Sequence, residues 1–451
     1  MSLAQVWDSF AKLEREEELM DWCVAGVYVW PAMKTRLLRQ FNESLGLIDE
    51  TDKQPSVFDI ENPIDLKTHL KNPGKHQVAV VPFVRRDKNG KDPFTDPIVD
   101  ALRAAGQDPL VFGVGVHDDG SGKPSLERLI VHLTKKYRKG AILRVLPTAV
   151  FGKEHKQRWA SLVARLERET GGSAGRFKAF PRWLLVEFLA QERGFRKYFD
   201  RAGITNVFMT NAYRRSMISA AQYKGRGWVI ELQHGLISNR HPELAWPNTP
   251  WPAYVPDEFW GWGEYWLENS DLAEGMDTRV IGAPASVARL MRQSNAKLPG
   301  SVLVISQPEQ SQKLIEATIE LAKRHPELNF SFKPHPKELG SHDSLTLPSN
   351  VKLLSARDHA LQLIANAETV LGVYSTALVE ALALRCRVGV FNLPGIEHIQ
   401  AVIARGDAKL LKGPKDFAEL VATPLPEDDE VASYYYAEPI DLNRVIKEMY
   451  V

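Results

Sequence analysis

Three short segments in the second half of the chain carry residue types suited to holding a phosphate. Lys333-Pro334-His335-Pro336 sets a cation and a titratable imidazole between prolines that stiffen the backbone. Tyr374-Ser375-Thr376 places two hydroxyls directly before an apolar helical run, Ala377-Leu378-Val379-Glu380-Ala381. Ser306-Gln307-Pro308-Glu309 follows a β-branched run that begins at Ser301. A helix N-terminus offers unpaired N–H groups and the positive end of its dipole, so Ser375 and Thr376 there would add donors to an anion site. Lys333 and His335 can bring positive charge to the same phosphate, or to a phosphate-bearing leaving group. Each segment also has a purely structural reading. Ser and Thr are good N-caps, worth about 1 kcal/mol without any ligand, and Pro-His-Pro can simply be a rigid strand exit. Taken together, Gln307, Lys333, His335, Ser375 and Thr376 favour one phosphate site.

A second set of reactive residues lies in the first half. Gln233-His234-Gly235 closes the run Trp228–Leu232, and an imidazole suits base work near neutral pH. Glu231, two residues before Gln233, shares a strand face with it and can orient the site. Asp118-Asp119-Gly120-Ser121 offers a rival carboxylate, Asp119, in what is also an ordinary turn composition. Arg85, within Arg85-Arg86, and Tyr28-Val29-Trp30 with Arg36 can line the side of a second substrate; packing would explain them as well. From Lys135 to Lys197, sixteen Lys and Arg stand against five Glu, interleaved with aromatics such as Trp159, Trp183 and Phe188. Such a stretch can lie on an anionic leaflet or face an anionic, lipid-linked ligand; its bland reading is the solvated faces of two amphipathic helices. No recognised nucleic-acid-binding module accompanies the charge, so nucleic acid is not an expected partner.

These residues need elements that bring them together. Residues 1 to about 70 read as helical, closed by Asn62-Pro63 and Asn72-Pro73-Gly74. Short β-branched runs then alternate with amphipathic helices. Strands are predicted at His76–Val84, Leu110–Val116, Ala141–Leu146, Val207–Thr210 and Trp228–Leu232, and helices over 154–170, 182–202 and 211–223. Beyond Gly282-Ala283-Pro284 a second alternation runs through Ser301–Ser306, Asn329–Lys333, Val351–Leu354, Thr369–Val373 and Arg387–Phe391. This alternation predicts parallel, doubly wound sheets. The expected fold class is α/β: two Rossmann-like domains facing a cleft, with an N-terminal helical section. The expected domains are 1–285 (helical over 1–70), 286–425, and a linker with a closing helix over 426–451. Ligands of such sheets collect at the carboxyl ends of strands. The phosphate-compatible segments all fall there.

At 451 residues, two to three domains are expected. A formal net charge of +1 leaves global charge silent about partners, so charge matters only locally. Cys23 and Cys386 are no disulfide framework, which suits a reducing compartment. Met1-Ser2-Leu3 leads into an acidic amphipathic helix rather than a secretory signal, and no apolar run approaches the roughly 20 residues of a membrane span. The expectation is a cytoplasmic protein, with peripheral contact to the inner face of the membrane if the basic stretch serves that purpose. No paired-carboxylate or Cys/His cluster at metal-ligand spacing is visible, and no cofactor is expected.

Lys333-Pro334-His335-Pro336, followed about 40 residues later by Ser375-Thr376-Ala377-Leu378-Val379-Glu380-Ala381, resembles the HP and S-S/T motifs of bacterial sialyltransferases and Kdo transferases. It also resembles related GT-B glycosyltransferases encoded in capsule and O-antigen clusters. Glu231-Leu232-Gln233-His234-Gly235, Pro256-Asp257-Glu258-Phe259, Gly261-Trp262-Gly263 and Val280-Ile281-Gly282-Ala283-Pro284 extend the likeness over roughly residues 200–395. The resemblance implies that His335, Ser375 and Thr376 hold the donor phosphate. It also implies an inverting, metal-independent sugar transfer from a nucleotide sugar to a glycan or lipid-linked acceptor. A CMP-activated acidic sugar is slightly favoured as donor. The sialyltransferase-like enzymes carry an acidic base motif in the first domain; Asp119 matches it in letters, and His234 is the competing base. A nucleotide-sugar epimerase or a glycerophosphotransferase on the same fold is the nearest rival, and a non-catalytic sugar-nucleotide binder the next. An epimerase would begin its phosphate-binding helix with Gly-Gly, where this chain has Tyr374-Ser375.

Overall fold

The computed structural model describes residues 2–48, 70, 73–83, 91–113, 125–210, 212–242, 244–246, 254–293, 297–338, 340, 342, 345–427 and 429–450, without the side chains of 148–151. Two helices open it, α1 (Leu3–Glu16) and α2 (Val29–Ser44), joined through a hairpin of β1 (Cys23–Val24) and β2 (Val27–Tyr28). A capping box starts α1: the Ser2 hydroxyl accepts from Gln5 N while the Gln5 side chain accepts from Ser2 N, closing donors that the first turn leaves open. Trp7, Phe10, Trp30 and Phe41 turn inward and pack with Trp159, Leu166 and Phe177. Inside this apolar cluster sits a Lys34–Glu14 ion pair at 2.7 Å, neither side chain more than 3% exposed.

The first sheet is assembled from β3 (Val78–Val81), β4 (Leu110–Val111), β5 (Asn206–Met209), β6 (Trp228–Leu232), β7 (Glu258–Gly261) and β8 (Asp277–Val280). Its order is β4-β3-β5-β6-β7-β8, and every pairing is parallel. Connections run through α3 (Asp96–Ala104), α4 (Leu126–Phe151), α5 (Lys153–Thr170), α6 (Arg182–Ala202), α7 (Arg215–Ala221) and α8 (Glu264–Glu268). All four residues of β3 are buried, as a parallel strand covered on both faces requires.

Ala141–Leu146, expected as a strand, lies inside α4. Leu126, Leu129, Leu133, Ala141 and Val145 are among its buried residues, at separations of three, four and eight that suit a helical period. The same segment leaves Ile142, Leu143 and Leu146 on the outside at 39%, 70% and 54% exposure. The β-branched composition was ambiguous, and continuity with the preceding helix decided it. Helix α4 packs closely along α6 because position 194 is glycine: a Cβ there would lie 2.7 Å from Leu133 Cβ.

The second sheet comprises β9 (Leu298–Ile305), β10 (Asn329–Lys333), β11 (Val351–Leu353), β12 (Ala367–Gly372), β13 (Arg387–Phe391) and β14 (Lys409–Leu411), in the order β11-β10-β9-β12-β13-β14, again wholly parallel. Its helices include α9 (Ala285–Arg292), α10 (Ser311–Arg324), α11 (Ala360–Asn366), α12 (Thr376–Ala383), α13 (Gln400–Arg405) and α14 (Pro414–Ala422). The expected class, two Rossmann-like α/β units, is the one observed. The chain then crosses back. Helix α15 (Asp429–Tyr435) packs on α12 and α8, and α16 (Leu442–Tyr450) packs on α3 of the first unit. Ile446 of α16 joins a cluster with Ile98, Phe208 and Trp260. The outgoing and returning segments are hydrogen-bonded to each other, Ala283 N to Ala437 O at 2.8 Å and Ile440 N to Ile281 O at 3.1 Å. Gly282 between them has φ +84°, and a Cβ there would meet Glu438 O at 2.5 Å; a residue with a side chain would be excluded on both counts.

Candidate functional site

The strand order β10-β9-β12 makes neighbours of three carboxyl ends that are far apart in sequence. Lys333 pairs with Ile305 and Leu371 with Val304, so Ser306, His335 and Ser375 all leave the same edge of the sheet. Adjacent strands lie about 4.8 Å apart, so the three exits span about 10 Å. From β9 the chain crosses to β10 on one side and from β12 to β13 on the other, which makes the gap between β9 and β12 the switch point where doubly wound sheets open a crevice. The Tyr374 hydroxyl bridges it, donating to Glu309 Oε2 at 3.3 Å. Burial, and then the Glu309 carboxylate, raise the Tyr374 phenol above its ordinary pKa, so it remains a donor. Ser375 caps α12 with extended φ/ψ, its hydroxyl accepting from Ala377 N at 3.2 Å. Thr376 begins the helix and, like Ser375, is half-buried.

His335 is held by a turn that the sequence encodes in a way our reading of it overlooked. It precedes the short turn Pro336–Glu338, and Glu338 Oε2 accepts from His335 N at 2.5 Å. This is the reciprocal half of a capping box, an acid three residues after the cap. The other oxygen of Glu338 accepts from the Ser306 hydroxyl at 3.1 Å. One buried carboxylate therefore ties the exit of β10 to the exit of β9. Lys337 N donates to His335 Nδ1 at 3.2 Å. With Nδ1 accepting, a neutral His335 carries its proton on Nε2. The Ser306 hydroxyl also lies 3.2 Å from that of Ser311, itself 2.6 Å from His342 Nε2.

Lys333 sits differently from the charge-donating role expected of it. It is 4% exposed, and its Nζ donates to Pro334 O at 2.8 Å and Ala356 O at 3.0 Å. Burial lowers its pKa against the pull of Asp358 and Glu338. The ammonium is spent on two carbonyls that the strand exits leave unpaired. Gln307 is half-buried where β9 leaves the sheet, its carbonyl accepting from Gln310 N at 2.9 Å.

At the edge of the first sheet, Gln233 locks the exit of β6. Its Oε1 accepts from Trp262 N at 2.9 Å, and its Nε2 donates to Gly235 O at 3.0 Å. His234 follows, half-buried, with its ring 4.7 Å from that of Phe83, which leaves the end of β3. Glu231 does not reach this edge: it is 1% exposed, and its Oε1 accepts from Ala212 N at 3.3 Å. Asp119 and Arg85 lie outside the described residues. Trp30 is buried with Nε1 donating to Glu14 at 2.6 Å, and Arg36 pairs with Glu187 at 2.9 Å, so both serve packing between helices.

Sequence reasoning missed the residues that join the two edges. The Ser238 hydroxyl, which accepts from Arg240 N at 3.3 Å, stands 3.2 Å from His398 Nδ1. The His398 ring in turn lies 5.4 Å from that of Tyr374. A chain Ser238–His398–Tyr374 thus links the loop after His234 to the residue before Ser375. Burial lowers the His398 pKa, Arg240 adds to this, and Glu397 opposes it. Burial, followed by the neighbouring His234, His398 and Arg215, pushes the His241 imidazole down to about 3. Both shifts favour the uncharged imidazole. No local signal could have revealed this, because Ser238 and His398 are 160 residues apart. Among the described residues, no group of three or more His, Cys, Asp or Glu is arranged to hold a metal ion, and no helix is long and apolar enough to cross a membrane.

No protein-family model matches the sequence, and no curated protein matches it. Solved structures do. The UDP-GlcNAc 2-epimerase of Methanocaldococcus jannaschii, in complex with UDP-GlcNAc and UDP, is similar at 12% identity over 83% of this chain and 99% of that one, with a TM-score of 0.46. The spinosyn rhamnosyltransferase SpnG, complexed with thymidine diphosphate, is similar at 13% identity over 83% of this chain and all of that one (100%), with a TM-score of 0.44. The UDP-GlcNAc 2-epimerase of Neisseria meningitidis, bound to UDP-GlcNAc, gives 16% identity, 58% and 81% coverage, and a TM-score of 0.40.

Proposed function

We propose that the protein is an inverting, metal-independent glycosyltransferase that moves a sugar from a nucleotide donor to a glycan or lipid-linked acceptor. The observation that carries this reading is the convergence of Ser306-Gln307, His335 and Ser375-Thr376 on three adjacent strand exits at a switch point. In the proposed reaction the phosphate of the donor rests on the open N–H groups of α12 and on His335 Nε2–H. His234 takes the proton of the acceptor hydroxyl as its oxygen bonds to the anomeric carbon. The bond from that carbon to the phosphate oxygen breaks with its electron pair, and the charge that develops on the nucleotide is met by the donors already in place. A CMP-activated acidic sugar is the donor we favour, on the strength of the His335-Pro336 and Ser375-Thr376 pair.

A thermal-shift screen over CMP, CDP, UDP and GDP tests the reading. A nucleotide at 100 times its dissociation constant should stabilise the protein by about 2.7 kcal/mol; no shift with any of them would sink the proposal. With a binding nucleotide in hand, His335→Ala and the double change Ser375→Ala/Thr376→Ala should each weaken it by about 1.5–3 kcal/mol, as loss of charge-assisted bonds does. Isothermal titration on variants that melt normally is the check, and unchanged affinity would remove these residues from the donor site.

We also propose that the basic stretch brings the enzyme to anionic surfaces. Lys135, Lys136, Lys139 and Arg144 are exposed on α4 beside Leu143 and Leu146, a combination suited to the headgroup boundary of a leaflet. Co-sedimentation with vesicles should rise with anionic lipid, fall with salt as the screening length drops below about 8 Å, and weaken in Leu143→Asp. Equal binding to neutral and anionic vesicles, or to neither, would retire the idea.

A further inference from the structure

Where the two crossing segments meet the first sheet, they enclose a cavity of about 500 Å³ that none of the residues proposed for the reaction accounts for. Its walls are apolar: Phe94 and Ile98 from α3 and the turn before it, Trp262 after β7, Ile281, Ala288 of α9, and Ile440 on the returning segment. The aromatic walls are fixed by stacking, Phe94 on Trp262 at 5.9 Å with 20° between planes, and Trp262 on Tyr436 at 5.5 Å with 18°. A volume of this size falls in the range of small-molecule pockets, about 300–1,000 Å³. The charged residues that line it, among those described, are both basic, Arg289 and Arg292. Arg292 is satisfied by Glu438. Arg289 is exposed on the same face of α9 and makes no ion pair among the described residues. The cavity also backs onto the candidate base: Phe94 lies 6.0 Å from Phe83, whose ring is 4.7 Å from His234.

We propose that this cavity binds an anionic amphiphile, an alkyl or isoprenoid chain whose phosphate or carboxylate head pairs with Arg289 at the rim. The apolar walls supply affinity by removing the chain from water, and the unpaired guanidinium selects the sign of the head. The inference is independent of the sugar-transfer reading, because it rests on the cavity and its rim and on no residue assigned to the nucleotide.

The test uses the full chain and two probes with the same tail: dodecyl phosphate and dodecyltrimethylammonium, each titrated below its micelle concentration by equilibrium dialysis. Dodecyl phosphate should bind saturably at one site per chain and at least about tenfold more tightly than the cation, the ratio expected of a charge-assisted contact. Arg289→Glu should abolish that preference. Ala285→Trp, at an exposed position on the cavity mouth, should cut dodecyl phosphate affinity at least about tenfold. Both positions face solvent, so folding is preserved and thermal melts confirm it. Absence of saturable binding overturns the proposal, as does wild-type affinity in either variant or equal affinity for the two heads. Nucleotide thermal shifts run on the same variants keep the two readings apart: if no nucleotide binds while dodecyl phosphate does, the transferase falls and this site stands.

Discussion

Replacing His234 by alanine is expected to lower sugar-transfer turnover by about 100- to 10,000-fold, the usual worth of a positioned general base, while leaving nucleotide affinity nearly unchanged. The expectation follows from place. His234 leaves the carboxyl edge of the first sheet immediately after Gln233, whose two side-chain bonds fix the turn, and the Phe83 ring lies tilted against its own, 4.7 Å away. Four residues further on, Ser238 reaches the second unit through His398, so the same loop closes the space beside Tyr374. A group there can act on an acceptor hydroxyl without touching the nucleotide, which is why kcat should fall while binding of the nucleotide persists. Asp119→Asn belongs in the same assay, because that carboxylate is the rival base. If Asp119→Asn abolished transfer while His234→Ala kept most of it, the base would be the carboxylate.

Lys34→Met is expected to destabilise the fold by about 3–5 kcal/mol, because removing one partner of a buried pair strands the other charge. Glu14 accepts from both Lys34 at 2.7 Å and Trp30 at 2.6 Å; with the ammonium gone, it would keep an indole N–H but no counter-charge. The ammonium also lies 4.4 Å from the ring centre of Trp7 and 4.2 Å from that of Trp246, and donates to Ala245 O at 3.3 Å. Those cation–π contacts would be lost as well. Urea unfolding should show the loss directly, and the double change Lys34→Met/Glu14→Leu should recover most of it, since apolar replacement of a whole buried pair is often neutral. If Lys34→Met alone unfolded at the wild-type midpoint, the pair would not be a structural keystone. Because Ala245 and Trp246 continue the loop that begins at His234, the single variant should also lose turnover.

Much of this architecture is legible in the sequence because parallel strands announce themselves. Val78–Val81 and Arg387–Phe391 are short runs rich in valine, Asn329–Lys333 alternates polar and apolar residues, each is cut off by Pro or Asn, and helical periodicity lies between them. The exits of β9, β10 and β12 were readable for the same reason, since Pro308, Pro334 and Ser375 each break a run. Strand β14 escaped because Lys409–Leu411 is short and, as Lys-Leu-Leu, holds no β-branched or aromatic residue. Ala141–Leu146 misled because Ile, Leu and Val suit either element, and burial pattern arises only on packing. Lys333 shows a subtler limit: the sequence reveals that a cation stands at the strand exit, but not that two carbonyls will claim it. His398 and Ser238 mark the deepest limit, because their relation exists only once two units of the fold are set side by side.

The paired crossing between the units has a mechanical consequence. A chain that passed once between two domains would leave them swivelling about a single thread, with three rotational freedoms. Here the outgoing segment at Ile281–Ala283 and the returning one at Ala437–Ile440 are laced together by hydrogen bonds, and Gly282 nests against Glu438. Two strands fastened at one spot would act as a strap hinge, resisting twist more than a single thread does and favouring an axis near Gly282. Displacement in such a joint grows with distance from the axis. The Ser238–His398 contact would then behave as the latch of the door, and any side chain at 282 should undo the lacing, since its Cβ would meet Glu438 O at 2.5 Å.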